Sequence, residues 1–113
     1  MTGFRLTPRA ALDLADLLRD TARRFGPRQR DAYAALIETA AQRLAADPNH
    51  PAARPRPDLA PDLRAYHLAT AAGRPGAAAH ILYFIPSAPP PATITLIRIL
   101  HHRMDPIRHL PTP

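Results

Sequence analysis

Residues 93–105 read T-I-T-L-I-R-I-L-H-H-R-M-D and constrain the fold more than any other segment. Residues 93–100 are rich in β-branched and apolar side chains, which is typical of a strand that is apolar on both faces and lies inside a sheet. Arg98 falls within this strand, where an unpaired charge is costly. We therefore expect it to have a partner. The partner is either a helix carboxylate such as Asp13 or Asp16, in an internal ion pair, or a second protein that Arg98 anchors.

Two further strands precede this one. The hydrophobic period is 2 in residues 63–69, 78–85 and 92–101, and each is predicted to be a strand. Residues 73–76 (G-R-P-G) and the proline-rich residues 86–91 separate them. Short connections between consecutive strands predict an antiparallel meander.

The N-terminal half has a helical period instead. After a short alternating segment at residues 4–6, Thr7 and Pro8 are typical of a helix N-cap and a first helical position. The apolar residues that follow recur at three- and four-residue steps and predict an amphipathic helix of about five turns. Its predicted buried stripe consists of Ala11, Leu14, Ala15, Leu18, Ala22 and Phe25.

A second helix follows the break at residues 26–27 (G-P), because glycine ends a helix readily and proline can open the next one. Residues 47–49 (D-P-N) end it, and five prolines make residues 48–62 a surface connection in which we expect neither helix nor strand pairing. The predicted fold is α+β: an N-terminal strand, a two-helix antiparallel hairpin, then a three-stranded antiparallel meander. The buried stripe predicted for the second helix consists of Tyr33, Leu36, Ile37, Ala40, Ala41 and Leu44.

Length and composition narrow the class of protein. The 113 residues predict a single domain over 1–113. The absence of cysteine excludes disulfides and thiolate metal sites. No apolar stretch approaches the roughly 18 residues of a membrane span, and no secretory signal pattern opens the chain, so we expect a cytoplasmic protein with no membrane partner. The net charge of +6, carried by arginine without any lysine, attracts nucleic acid or an acidic protein, although a GC-rich genome also favours arginine.

Four short motifs of the sequence can be compared with those of known protein families. Residues 4–14 (F-R-L-T-P-R-A-A-L-D-L) lead from a strand into a helix with an early acidic residue, and residues 25–27 (F-G-P) place an aromatic–glycine turn between the helices. Residues 62–64 (D-L-R) and 97–105 (I-R-I-L-H-H-R-M-D) complete the set. These motifs resemble the RelE/ParE toxin superfamily, and its ParE-like members in particular. The last resembles the family's I-x-R-V-L-H-x-R-x-D ending, whereas Asp62 replaces the glycine of a G-L-R motif. The resemblance covers residues 3–110, and the proline-rich segment is longer than the family's tight turn.

This resemblance implies the toxin of a type II toxin–antitoxin system, which arrests growth when free and is neutralised by a cognate antitoxin. It leaves the target open. Characterised ParE-like members poison DNA gyrase and RelE-like members cut mRNA in the ribosome, on the same scaffold.

A nuclease of the RelE type needs cationic and acid/base groups around the scissile phosphate. The residues available for that role are Arg64, His80, Tyr83, Arg98 and Arg103. The lysines that such nucleases often carry have no counterpart, and His80 stands where an arginine is common. The incomplete set favours a non-enzymatic inhibitor. A ribosome-dependent mRNA endonuclease and an inactive toxin-fold binding protein remain as alternatives.

Adjacent His101 and His102 suggest a metal site, but neighbouring side chains of an extended strand point to opposite faces. We therefore expect no metal there. Nothing else in the sequence calls for a cofactor.

The polar segment after the last strand is a candidate partner-binding region. By the resemblance, Arg103, Asp105 and Arg108 contribute to gyrase inhibition, together with Arg98 if it is an anchor. The alternative is a loosely held terminus.

Antitoxin binding implies a second surface. A flexible acidic segment can lay a helix into the groove between the helix hairpin and the sheet. Arginines of the hairpin such as Arg19, Arg23 and Arg28 are the candidates to pair with it.

Overall fold

The structure, a computed structural model, describes residues 3–74, 76–87 and 93–110. Most of the proline-rich turn predicted at 86–91 lies outside the described residues. The five described strands form one sheet in the order β1-β5-β4-β3-β2. In chain order the elements are β1 (Phe4–Leu6), α1 (Pro8–Phe25), α2 (Pro27–Ala46), β2 (Arg54–Pro55), β3 (Arg64–His67), α3 (Leu68–Ala72), β4 (His80–Pro86), β5 (Ile94–His101) and α4 (Pro106–His109).

The α+β class is confirmed, but the predicted strand layout is incomplete. β3, β4 and β5 form the expected antiparallel meander, with Ala65 opposite Tyr83 and Ile81 opposite Leu100. Two more strands extend the same sheet, since β1 pairs in parallel with β5 and β2 pairs antiparallel with β3. A parallel pair needs a long crossover connection, and the helix hairpin lies within the one that joins β1 to β5. The described sheet therefore has five strands. The prediction had three strands in the meander and a first strand outside it.

The expectation that residues 48–62 hold no strand is wrong. Arg54 pairs with Ala65, and Pro55 pairs with Arg64. β2 is a two-residue strand at the edge of the sheet, a position where proline is tolerated because its missing N–H need not interrupt a central ladder.

The strand predicted to reach residue 69 ends earlier. β3 stops at His67, whose Nδ1 accepts a hydrogen bond from the Ala69 backbone N–H at 3.1 Å and caps the short helix α3. A side chain that satisfies a free helix N–H favours the change of conformation at this residue. The prediction missed it because histidine is not among the common N-cap residues.

Asp62, which replaces the glycine expected before β3, has a φ of 61°. This is the left-handed region that glycine enters freely, and aspartate is among the few other residues found there regularly. Asp62 therefore has a backbone conformation that glycine also adopts readily.

Both long helices form as predicted, but the buried face of α1 is rotated from the expected one. Thr7 caps α1, its Oγ1 accepting from the Ala10 N–H at 3.1 Å, and Gly26 separates the helices at a φ of 94°. Ala11, Ala15 and Phe25 are exposed rather than buried. The residues of α1 that face the core are Ala10, Leu14, Leu17 and Leu18. The stripe predicted for α2 is confirmed, with Ile37, Ala40, Ala41 and Leu44 buried.

The sheet separates two apolar clusters. The larger lies between the helix hairpin and the sheet and includes Leu82, Phe84 and Leu96. The smaller consists of Leu63, Tyr83, Leu100 and Leu110. Leu110, only 8% exposed, follows α4, so the end of the described chain is held by packing rather than loosely attached.

The helix α1 completes the edge of β5 beyond the point where β1 ends. Thr7 donates its backbone N–H to the Leu96 carbonyl at 3.0 Å and its hydroxyl to the Ile97 carbonyl at 2.9 Å. Asp13 then accepts the Ile99 N–H at 3.0 Å. Backbone groups that would otherwise be left unpaired are thus satisfied by the start of a helix. No helix in the described part of the chain is long and apolar enough to span a membrane.

Candidate functional site

Arg98 makes the internal ion pair that its place in the strand predicts. Its Nε and Nη2 donate to the two oxygens of Asp13 at 2.7 and 3.0 Å, a bidentate contact, and its Nη1 donates to the His109 carbonyl. The side chains of Arg98 and Asp13 are only 8% and 14% exposed. The hydrogen bonds to Asp13 raise the pKa of Arg98. The guanidinium therefore connects α1, β5 and the last residue of α4, and its donors are largely used inside the protein.

Four histidines meet where β3, β4 and β5 come together. The ring centroids of His67 and His102 lie 5.2 Å apart, those of His102 and His101 4.8 Å, and those of His101 and His80 5.4 Å. Tyr33, from α2, closes the row with its ring 5.5 Å from His80. We call the four rings the histidine cluster.

In every ring of the histidine cluster the Nδ1 atom takes part in a hydrogen bond. His67 Nδ1 accepts from the Ala69 N–H, and His101 Nδ1 accepts from the Arg103 N–H at 3.1 Å. His67 Nε2 therefore carries the proton that it shares with His102 Nδ1 at 3.0 Å. His80 Nδ1 lies 2.7 Å from the Tyr33 hydroxyl, which itself accepts from the Ala79 N–H at 3.4 Å. The hydroxyl proton is thus directed at His80.

This arrangement favours neutral rings. Burial, followed by the nearby positive charges of His101, His102 and His67, lowers the pKa of His80 to about 4. Burial, and then the charges of His102 and Arg103, lowers the pKa of His101. At neutral pH His80 is therefore an uncharged ring with Nδ1 occupied and Nε2 protonated.

The expectation that His101 and His102 point to opposite faces is wrong. β5 ends at His101, and His102 lies in a turn whose backbone N–H bonds to the Ala79 carbonyl at 2.7 Å. The strand alternation therefore no longer applies, and the two rings touch. Within residues 3–74, 76–87 and 93–110, no three histidine or carboxylate side chains are arranged to hold a metal ion.

The five residues considered for a nuclease do not share one surface. Arg64 donates to the Pro48 carbonyl, and Tyr83 is 2% exposed in the smaller apolar cluster, where burial raises its pKa. Arg98 is engaged with Asp13. Of the five, His80, Arg98 and Arg103 line one open cleft. Sequence reasoning missed His67 and Tyr33 as partners in this region, since no local pattern marks either.

The arginines considered for antitoxin binding lie on the exposed surface of the hairpin. Arg19 forms an ion pair with Asp16 at 3.1 Å, and Arg23 forms one with Asp20 at 3.4 Å. The side chain of Arg19 is 69% exposed and that of Arg23 is 76% exposed. Arg28 is exposed and has no ion pair among the described residues.

The segment after β5 presents a mixed polar and apolar surface. Asp105 caps α4 by accepting the Ile107 N–H at 3.1 Å and lies 4.0 Å from Arg108. Arg103 is exposed, and Met104 and Ile107 are 46% and 68% exposed. Apolar side chains of this size next to arginines are typical of protein-binding surfaces.

Comparison with known families fits this fold. The family model described as the ParE toxin of the type II toxin–antitoxin system, parDE, matches residues 4–106. The chain belongs to the ParE toxin family. As a ParE-family chain it is the toxin of a type II toxin–antitoxin system, as the motifs at both ends of the sequence predicted.

A solved structure shares the fold of this ParE-family chain. It is titled as the chromosomal ParDE toxin–antitoxin system from P. aeruginosa, with a TM-score of 0.67 and 21% sequence identity over 89% of this chain and 96% of that one. No curated protein matches the chain.

Proposed function

We propose that this ParE-family toxin arrests growth by binding and inhibiting DNA gyrase without cleaving nucleic acid itself, and that a cognate antitoxin neutralises it. We further propose that residues 1–113 fold as one domain that acts in the cytoplasm. The observation that carries the choice of target is that the residues which a ribosome-dependent mRNA endonuclease would need do not all meet at one site. His80, Arg98 and Arg103 line one cleft, whereas Arg64 and Tyr83 are not among its lining residues.

Nuclease chemistry of the RelE type requires groups that move protons and stabilise charge around one phosphate. Tyr83 and Arg64 are not among the residues that line the cleft with His80, and Arg98 donates three hydrogen bonds to Asp13 and the His109 carbonyl. His80 has its Nδ1 occupied and titrates near pH 4, so it is a weak base at neutral pH. These contacts support an inhibitor that acts by binding.

The segment after β5 is the proposed gyrase-binding surface. It offers four exposed side chains: Arg103 and Met104 in the turn that follows β5, and Ile107 and Arg108 on α4, which is followed by the buried Leu110. Exposed apolar side chains beside cations supply both burial and charge complementarity on binding.

The hairpin surface is the proposed antitoxin contact. Exposed ion pairs such as Asp16–Arg19 contribute little to stability, so exchanging the aspartate for an antitoxin carboxylate costs little. Arg19, Arg23 and Arg28 then pair with an acidic segment that orders on the surface.

A supercoiling assay with purified gyrase and the full chain tests the target. We expect inhibition, and we expect the double variant Arg103→Ala/Ile107→Ala to weaken it about 10-fold or more, the usual effect of removing interface anchors. Leu12→Ala, which shortens an exposed apolar side chain on α1, is the matched control and should leave inhibition unchanged. Both changes are at exposed sites, so they avoid the unfolding that truncation before buried Leu110 would risk.

A transcript-cleavage assay on translating ribosomes is run beside it. Cleavage that persists in the absence of any effect on gyrase would reject the proposal and support the endonuclease. For the antitoxin, Arg19→Glu/Arg23→Glu should weaken binding of the acidic segment, whereas Arg74→Glu should not.

A further inference from the structure

An open cleft of about 710 Å³ lies between α1 and the ends of β4 and β5. His80 and His101 from the histidine cluster line it, together with Arg103 from the turn that follows β5. The proposed gyrase-binding role does not use the two histidines. The Nδ1 atoms of both rings are used inside the fold, but neither the fold nor the proposed function assigns a role to their Nε2 atoms.

The hydrogen bonds of the two rings determine what they offer to the cleft. His101 Nδ1 is occupied by the Arg103 N–H and His80 Nδ1 by the Tyr33 hydroxyl. A backbone N–H donates to His101 Nδ1, so the proton of that neutral ring must be on Nε2. For His80 we assign the Tyr33 hydroxyl, which accepts from the Ala79 N–H, as the donor to Nδ1, and this assignment likewise places the ring proton on Nε2. Both histidines are therefore hydrogen-bond donors at Nε2, with no lone pair left for a metal ion.

The cleft also has uncompensated positive charge. Its carboxylates already have partners, since Asp13 pairs with Arg98, Asp16 with Arg19, and Asp20 with Arg23 and Arg24. Arg103 is exposed and has no ion pair among the described residues. Two N–H donors and a free guanidinium at one cleft form a combination that suits an anion with several acceptor oxygens.

We propose that this cleft binds a phosphate group, with the Nε2–H groups of His80 and His101 and the guanidinium of Arg103 as donors. The proposed site shares Arg103 with the proposed gyrase-binding surface, but phosphate binding is measured without gyrase, so the two proposals can fail separately. The phosphate belongs either to a free nucleotide or to a nucleic-acid backbone. Both sources present the same kind of acceptor oxygens.

Phosphate binding should also favour protonation of the two rings. The charges of neighbouring histidines contribute to the lowered pKa values of His80 and His101, so a bound anion should raise both. Besides Arg103, other charged or titratable groups line the cleft or contact the rings of the cluster. They are Arg9, Asp13, Asp16, Asp20 and Arg24 from α1, Tyr33 from α2, His67 from β3, Arg98 from β5, and His102 and His109 from the C-terminal segment.

Imidazole NMR spectra of the full chain provide the test. Inorganic phosphate is titrated against chloride at equal ionic strength at neutral pH. We expect the ring signals of His80 and His101 to shift together and to saturate, and we expect both pKa values to rise. His50, which packs on Tyr66 outside the cleft, is the internal reference and should not move.

Variants distinguish a specific phosphate site from a general attraction of anions to the positively charged protein. Arg103→Ala should weaken phosphate binding about 10-fold, because a charge-assisted hydrogen bond is lost. Arg43→Ala removes an equally exposed arginine from α2 and should change the affinity less than about 2-fold, since screening limits distant charges. His101→Leu should abolish the shift of His80, with thermal unfolding measured to confirm that the variant is folded.

The proposal is overturned if phosphate moves the two rings no more than chloride does, or if Arg43→Ala and Arg103→Ala weaken binding equally. Adenosine monophosphate and a short single-stranded oligonucleotide, compared at equal phosphate concentration, then identify the source. Tighter binding of either one supports the site and assigns the phosphate to a nucleotide or to a backbone.

Discussion

Among the polar contacts between the helix hairpin and the sheet, two side-chain pairs place ionisable groups out of water in opposite ways. Arg98 and Asp13 are both charged and hold each other in a bidentate pair. His80 and Tyr33 are both neutral and share one hydrogen bond of 2.7 Å. The first contact keeps two charges away from water, whereas the second avoids charge altogether.

The difference follows from the side chains. A guanidinium cannot lose its proton at any pH that a protein meets, so a buried arginine requires a counter-charge. An imidazole is neutral at little cost near pH 7, so burial favours the uncharged ring. The ion pair should therefore dominate stability at all ordinary pH values, and the histidine contact should make stability depend on pH.

The largest effect is expected at the ion pair. Asp13→Ala leaves the guanidinium of Arg98 and the Ile99 N–H without their acceptor, which should lower the free energy of unfolding by about 3–5 kcal/mol. Asp16→Ala, on the next turn of α1, removes only an exposed pair and should change it by less than about 0.5 kcal/mol. Urea unfolding of both variants measures the contrast. Equal losses of unfolding free energy in the two variants would contradict this prediction, because they would show that the buried ion pair of Asp13 stabilises the fold no more than the exposed pair of Asp16.

The next effect is a loss of stability in acid. His80 takes up a proton near its ordinary pKa of 6.5 in the unfolded chain but only near pH 4 in the folded one. The unfolded state therefore binds more protons between these values, so stability is complete above about pH 6.5 and falls as the pH drops towards 4. The loss should be smaller than that in Asp13→Ala, because the ring is only partly buried and solvent screens part of its charge.

His80→Asn sharpens this test. Asparagine offers an oxygen to the Tyr33 hydroxyl but does not titrate, so unfolding free energies measured from pH 7 to pH 4 should decline less steeply than in the parent chain. His50→Asn is the control and should leave the slope unchanged. Identical slopes in the parent chain and His80→Asn would remove His80 as the cause.

The smallest effect is expected at Tyr33. Tyr33→Phe removes the hydroxyl that bonds His80 Nδ1 and the Ala79 N–H, and should cost about 1–2 kcal/mol. The pKa of His80 should rise as well, since Nδ1 is then free to accept a proton. A double-mutant cycle with His80→Asn measures the coupling, which should be clearly above zero for side chains in direct contact. Additive losses would argue that the hydrogen bond contributes nothing.

The elements with strong local patterns were predictable. The three- and four-residue steps placed α2 and its buried face, and the apolar run at residues 93–100 placed β5 inside the sheet. β2 was missed because a two-residue edge strand has no period of its own, and its prolines argued against any strand. The rotated face of α1 was missed because alanines at several positions fit more than one stripe.

The site was less predictable than the fold. The need of Arg98 for a carboxylate followed from a charge inside an apolar strand, and Asp13 was one of two candidates. The histidine cluster could not be foreseen, because the turn at His102 ends the alternation that would have separated it from His101.

The sequence by itself determined the helix and strand periods, the breaks at glycine and proline, the motifs of the ParE family and the requirement for a partner to Arg98. Each of these depends on residues close together in the chain or on a single side chain's chemistry. The tertiary structure alone decided which carboxylate serves Arg98 and which rings form the histidine cluster. The residues in contact are 85 positions apart for Asp13 and Arg98, 47 for Tyr33 and His80, and 35 for His67 and His102. These contacts depend on how α1 and α2 pack on the sheet and on where its strands end. A local sequence pattern encodes neither.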